Sequence, residues 1–86
     1  MRHARDEDLD QIEALIVRLR GIAGLTEKKR GVFYQRSRSF LHFHQDPKGM
    51  FADIRTADGT DFERFQVDAR EDQDSLVAIA VTRARA

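Results

Sequence analysis

The segment from Val32 to Val67 constrains the fold most, because runs of alternating apolar residues follow one another there with only short polar breaks between them. This pattern predicts four strands, at 32–36, 40–44, 50–55 and 61–67. The breaks predict three turns, at Ser37-Arg38, at 45–49 and at Asp58-Gly59. Connections this short join only antiparallel neighbours, since a parallel neighbour requires a crossover of about a dozen residues. The segment therefore predicts a four-stranded antiparallel meander.

A helix is predicted on each side of this meander. In the first, over residues 7–20, the apolar positions recur three and four residues apart, at Leu9, Ile12, Leu15, Ile16 and Leu19. In the second, over residues 68–84, they are Leu76, Val77, Ile79, Ala80 and Ala84. Residues 21–31 are interpreted as a loop and residues 1–6 as a mobile segment. The chain is thus predicted to be one α+β domain over residues 1–86, in the order α-β-β-β-β-α, with both helices packed on one face of the sheet.

Composition narrows the classes of function. Fifteen Lys and Arg residues balance fifteen Asp and Glu residues, and a net charge of zero argues against a protein that coats nucleic acid or an anionic membrane. The chain has no Cys, which excludes disulfides and thiol nucleophiles and suits a reducing compartment. Its N-terminus turns acidic where a signal peptide needs an apolar stretch. These features predict a cytoplasmic protein with no membrane partner.

The turn positions also predict which side chains share a face of the sheet. The first face is apolar and suits the helices: Val32, Tyr34, Leu41, Phe43, Met50, Ala52, Ile54, Phe65 and Val67. The second face mixes phenylalanines with polar and charged residues: Phe33, Gln35, Phe40, His42, His44, Phe51, Asp53, Arg55, Phe62, Arg64 and Gln66. Leaving a large apolar side chain in water forfeits about 1.5–3 kcal/mol, so this second face is predicted to meet a partner. The main hypothesis is an interaction module that forms a homodimer, or binds another protein, through this face.

The sequence His42-Phe43-His44 places two imidazoles on the second face, because side chains two residues apart on a strand point the same way. In the predicted register, His42 lies opposite Asp53. Two histidines and a carboxylate are donors for zinc or iron, so a metal or small-ligand site at these three residues is one alternative. The other interpretation is a structural pair in which His42 is hydrogen-bonded to Asp53. No Ser or Cys is expected beside the pair, so no catalytic residue is assigned, and no cofactor is predicted.

A second alternative is the binding of single-stranded nucleic acid. Five basic residues are expected beside the second face, at one end of the first two predicted strands: Lys28, Lys29, Arg30, Arg36 and Arg38. Arginines that flank exposed aromatic rings are used by several protein modules to hold unpaired bases. The net charge of zero and the carboxylate of Asp53 in the middle of the face argue against this alternative.

The segment Phe40–Arg55 reads FLHFHQDPKGMFADIR and follows GLTEKKRGVFY at 24–34. It resembles a family of small uncharacterised bacterial proteins with the signature F-L-H-F-H-x-D-P-x-G-x-F-A-D-x-R. Over residues 20–67, the aromatic pattern of the strands is also similar to that of the MmcQ/YjbR-like domains. That resemblance implies an α+β fold and a suggested role in DNA binding. Neither resemblance assigns a functional residue to a position of this chain.

Overall fold

A computed structural model describes residues 1–85 and contains three helices and one antiparallel sheet of six strands. The elements are β1 (Arg2–His3), α1 (Asp6–Asp10), α2 (Glu13–Arg20), β2 (Thr26–Lys29), β3 (Val32–Gln35), β4 (Arg38–Asp46), β5 (Gly49–Arg55), β6 (Phe62–Gln66) and α3 (Arg70–Ala84). Strands β2 to β6 lie side by side in chain order, and β1 pairs with β4. The prediction of an α+β chain with an antiparallel sheet is confirmed. None of the helices within the described part of the chain is long and apolar enough to cross a membrane.

The sheet has two strands more than predicted. Residues 26–29, predicted as part of a loop, form β2 and pair with β3. Arg2 and His3, in the segment expected to be mobile, form β1 and pair with Gln45 and His44. Strand β4 is nine residues long and β3 pairs only with its first part, so the remaining edge of β4 is open to β1.

The first predicted helix is divided into α1 and α2. The division falls at Ile12, whose φ of −120° and ψ of 24° are not helical. Leu9, Ile12 and Leu15 are buried before, at and after the division, so the apolar spacing continues through it without a change. For this reason the spacing alone predicted one helix instead of two.

The turn between β3 and β4 lies one residue earlier than predicted. Gln35 pairs with Arg38, so the central turn residues are Arg36 and Ser37, whose φ values are 51° and 71°. Positive φ at both central residues is the geometry of a tight hairpin turn. Ser37-Arg38 is therefore wrong as the central pair of this turn.

A β-bulge at Phe40 then changes which side chains of β3 face the core. Tyr34 pairs with Ser39 and Phe33 pairs with Leu41, so β4 advances two residues while β3 advances one. Phe33 consequently shares the face of Leu41 and is 0% exposed, while Phe40 is 2% exposed. The placement of Phe33 and Phe40 on an open second face is wrong, because both belong to the hydrophobic core.

The same shift moves the neighbours of Phe33 away from the core face. Because side chains alternate along a strand, those of Val32 and Tyr34 point to the other face of the sheet from Phe33, and both residues are half-buried. The Tyr34 ring lies 5.4 Å from the ammonium of Lys28. Their assignment to the apolar face is also wrong.

The registers of β4 with β5 and of β5 with β6 are as predicted. His42 pairs with Asp53, and Asp53 pairs with Arg64. The alternate residues of β4 and β5 are buried in one cluster with apolar residues of the helices, and include Leu41, Phe43, Ala52 and Ile54. The opposite face, called here the histidine face, carries His42, His44, Phe51, Asp53, Phe62 and Arg64.

Candidate metal centre

The histidine face brings together groups from four strands. His42 and His44 alternate on β4, Asp53 lies opposite His42 on β5, and Arg64 lies opposite Asp53 on β6. His3 on β1 lies opposite His44, which places it on the same face. His3, His42, His44 and Asp53 are called here the histidine cluster.

Asp53 is held in place by Arg64. Nε of Arg64 donates to Oδ1 at 2.7 Å and Nη2 donates to Oδ2 at 2.8 Å, which is a bidentate pair. Asp53 is only 7% exposed. The hydrogen bonds from Arg64 lower the pKa of Asp53 below its ordinary value and outweigh the opposing effect of burial. The cluster therefore contains a fixed, ionised carboxylate.

The two β4 imidazoles approach this carboxylate without hydrogen-bonding to it. Nε2 of His42 lies 3.6 Å and Nε2 of His44 lies 3.7 Å from Oδ2 of Asp53. These distances are too long for a hydrogen bond, so the predicted hydrogen bond between His42 and Asp53 is not formed. Nε2 of His44 is buried and has no hydrogen-bond partner within residues 1–85.

The imidazoles are also held in their neutral form. Burial lowers the pKa of His42 and of His44 below the ordinary 6.5, against the opposing effect of the Asp53 carboxylate. A neutral imidazole has a free lone pair on one nitrogen and is the form that binds metal ions. At neutral pH the cluster thus presents two imidazole donors and one carboxylate donor.

His3 is the member of the cluster that sequence reasoning missed. Its ring centroid lies 4.6 Å from that of His44 and 6.0 Å from that of His42. Strand β1 is fastened to α1, since the guanidinium of Arg2 donates two hydrogen bonds to Asp8, at 2.6 and 3.2 Å. The backbone N–H of Arg5 also donates to Asp8, at 2.9 Å. The carboxylate of Asp8 therefore helps to position His3.

Asp8→Asn is expected to lower the free energy of unfolding at neutral pH. The hydrogen bonds from the Arg5 backbone and, next in size, from the Arg2 side chain lower the pKa of Asp8 below 3.8. The ionised Asp8 therefore contributes its full share of the free energy of unfolding above pH 3.8. That contribution is lost as the pH falls through the lower pKa of the folded state. Urea unfolding should therefore separate wild type from Asp8→Asn at pH 7 and bring them together well below pH 3.8. Glu7→Gln, which removes the same charge from an exposed position of α1, is the matched control. An equal loss in both variants at pH 7 would contradict the role of Asp8.

The phenylalanines of the histidine face border the cluster. The Phe62 ring contacts the His42 ring edge-on, with the ring centroids 5.3 Å apart. The guanidinium of Arg55 lies over the Phe62 ring, 4.7 Å from its centroid. Phe51 lies opposite His44 and is half-buried. Phe33 and Phe40, which the sequence placed on this face, do not reach it, because both lie in the core.

The basic residues predicted for nucleic acid do not form one patch. Lys28, Lys29 and Arg30 precede β3 and Arg36 follows it, so the two groups lie at opposite ends of that strand. Arg30 is also paired with carboxylates of Asp6, Asp10 and Glu13, which neutralise its charge. The expectation that all five basic residues lie at one end is wrong.

Comparison of the chain with protein family models, curated proteins and solved structures finds no match.

Proposed function

We propose that the protein binds a divalent transition-metal ion at His42, His44 and Asp53. The main support for this proposal is the buried Nε2 of His44. This atom has no hydrogen-bond partner within the described chain and lies 3.7 Å from the ionised carboxylate of Asp53. Buried polar atoms in proteins are almost always paired, because an unpaired one forfeits its interaction with water. A cation between the imidazoles and the carboxylate supplies the missing partner.

The spacing of the donors supports a metal ion. Ligands about 2.0–2.1 Å from a tetrahedral zinc ion are separated from one another by about 3.4 Å. The nitrogens of His42 and His44 lie 3.6 and 3.7 Å from Oδ2 of Asp53, and all three donor atoms lie within 4.8 Å of one another. Small side-chain rotations therefore bring the donors to coordination distance.

The donor types favour the same class of ion. Imidazoles suit zinc, iron, nickel and copper, whereas magnesium and calcium prefer sets made of oxygen atoms. Two imidazoles and one carboxylate also leave at least one coordination position for water or another ligand. His3 stands next to His44 but is not one of the three donors that lie within 4.8 Å of one another.

Arg64 limits the strength of the proposed site. Its guanidinium already binds both oxygens of Asp53, so a metal ion has to share this carboxylate with a fixed positive charge. The repulsion is substantial because Asp53 is nearly removed from water. We therefore expect weaker binding than at a site whose carboxylate has no cationic partner.

Zn²⁺ is expected to raise the unfolding temperature of the wild-type protein, with one equivalent bound. An ion that binds only the folded state adds about 2.7 kcal/mol of stability at 100 times its dissociation constant. Thermal unfolding with Zn²⁺, then with Zn²⁺ and excess chelator, and in parallel with Mg²⁺, measures this effect. The account predicts a rise with Zn²⁺ that the chelator reverses and that Mg²⁺ does not reproduce. An unchanged unfolding temperature in a large excess of Zn²⁺ would refute it.

Homodimerisation, or contact with another protein, through the histidine face stays a prediction. The apolar area of the histidine face comes from Phe51 and Phe62, because Phe33 and Phe40 lie in the core. A site for a cytoplasmic metal ion and a protein contact on this face are compatible with each other.

A further inference from the structure

A cavity of about 290 Å³ lies where the β3–β4 turn, the β5–β6 loop and the end of α3 meet. Four arginines line it, from three parts of the chain: Arg36, Arg38, Arg55 and Arg83. Gln35, Phe40 and the loop residues 56–59 complete the wall. No member of the histidine cluster lines this cavity, so it is a separate feature of the fold.

Two of the arginines are fixed without losing their charge. Nη2 of Arg38 and Nη1 of Arg55 both donate to the carbonyl oxygen of Gly59, at 2.8 and 2.9 Å. Nε of Arg55 also donates to the carbonyl oxygen of Ser39, at 2.7 Å. A carbonyl is a neutral acceptor, so these bonds orient the guanidinium groups but leave their positive charge uncompensated. The shared acceptor holds the two groups side by side.

Carboxylates neutralise this set only in part. Within residues 1–85, Arg83 is the only one of the four that forms an ion pair, and its partner is Glu63. The single acidic residue of the lining is Asp58. Its carboxylate accepts hydrogen bonds from the hydroxyl of Thr56 and from the backbone and hydroxyl of Thr60, which lower its pKa to about 2. The four guanidinium groups, set against the ionised Asp58 and the Glu63 partner of Arg83, leave the wall with a net charge of about +2.

The turn that carries Arg36 is strained for its sequence. Arg36 and Ser37 both have positive φ, at positions where Asn and Gly are strongly preferred. Strained backbone of this kind is concentrated at functional sites, where the side chain matters more than the stability of the turn. At Arg36, the strained residue is the one that lines the cavity.

We propose that this cavity binds the phosphoryl group of a small phosphorylated molecule. Guanidinium groups match phosphate oxygens in pairs, and Arg38 and Arg55, held side by side on Gly59, present such a pair in a cavity that Arg36 also lines. The volume is at the lower end of the range for small-molecule pockets, which suits a phosphoryl group with a body of a few atoms. A nucleic acid fits less well, because Lys28 and Lys29 lie at the other end of β3 and offer no continuous basic path.

The test is a titration with inorganic phosphate, followed by ¹⁵N–¹H NMR at constant ionic strength balanced with chloride. Saturable shifts are expected for the amides of Gly59 and its loop neighbours, but not for those of His42 and His44. Arg36→Asn removes one guanidinium and places a residue that tolerates positive φ in the turn, so this variant should fold. It is expected to weaken phosphate binding about tenfold, as the loss of a charge-assisted hydrogen bond does. Arg70→Gln removes the same charge from an exposed position outside the cavity and should bind as wild type does.

Three results would overturn the proposal. The first is the absence of saturable shifts in the wild-type protein, and the second is equal weakening in Arg36→Asn and Arg70→Gln. The third comes from a parallel titration with a single-stranded oligonucleotide. If the oligonucleotide binds far more tightly than phosphate and shifts the amides of Lys28 and Lys29, the partner is nucleic acid instead of a small molecule.

Discussion

Phe33→Ala is expected to lower the free energy of unfolding by about 3–5 kcal/mol, the usual loss for a phenylalanine removed from a core. Phe33 is 0% exposed and shares a face with Leu41, because the bulge at Phe40 changes which side chains of β3 face the core. A loss of this size is a large part of the stability of a small domain. Urea unfolding followed by circular dichroism measures the change.

Phe62→Ala is the matched control, since it removes the same side chain from the histidine face, where Phe62 is half-buried. Its loss should be clearly smaller than that of Phe33→Ala. Equal losses in the two variants would mean that Phe33 does not lie in the core. The register that a Ser37-Arg38 turn predicts would then describe β3 better.

His44→Gln is expected to weaken Zn²⁺ binding by at least about 100-fold, since even residues that only support a ligand change metal affinity by 10- to 100-fold. The substitution removes the donor nitrogen that is buried and unpaired, while it keeps a polar side chain at the position. Calorimetric titration with Zn²⁺ measures the change. His3→Gln is the matched control and should have a smaller effect, because His3 stands beside the three proposed donors. A dissociation constant for His44→Gln equal to that of wild type would exclude His44 as a ligand.

Arg64→Gln should change the same titration in the opposite direction. It removes the guanidinium that pairs with Asp53 and leaves the buried carboxylate without its cationic partner. Without metal this variant should be less stable than wild type, because an unpaired buried charge is unfavourable. With Zn²⁺ it should recover stability and bind the ion more tightly. A purely structural role of Asp53 predicts the loss of stability but no recovery with metal.

Much of the candidate site could be predicted from the sequence because turn residues mark both ends of β5, strongly at Asp58-Gly59 and more weakly at 45–49. Asp58-Gly59 and the loop at 45–49 fixed the registers of β4, β5 and β6, and the pairing of His42 with Asp53 and of Asp53 with Arg64 followed. The spacing of His42 and His44 on one strand also placed both imidazoles on one face. These signals are local in the sequence, and the strand pairings that they predict are present in the structure.

The remaining features depend on signals that the sequence does not carry. The Arg36-Ser37 turn has neither Asn nor Gly, so its positive φ values and the bulge after it could not be read from residue types. Strand β2 has the sequence TEKK, which has no apolar alternation. Strand β1 has two residues and exists because the edge of β4 beyond β3 is open to it. His3 joins the histidine cluster through this long-range pairing, which no local pattern indicates.

The most direct test of the metal site is ¹⁵N NMR of the imidazole side chains as one equivalent of Zn²⁺ is added. The account predicts that the Nε2 resonances of His42 and His44 change together and stop changing at one equivalent. Imidazole resonances that stay unchanged, or that change for His3 alone, would contradict it.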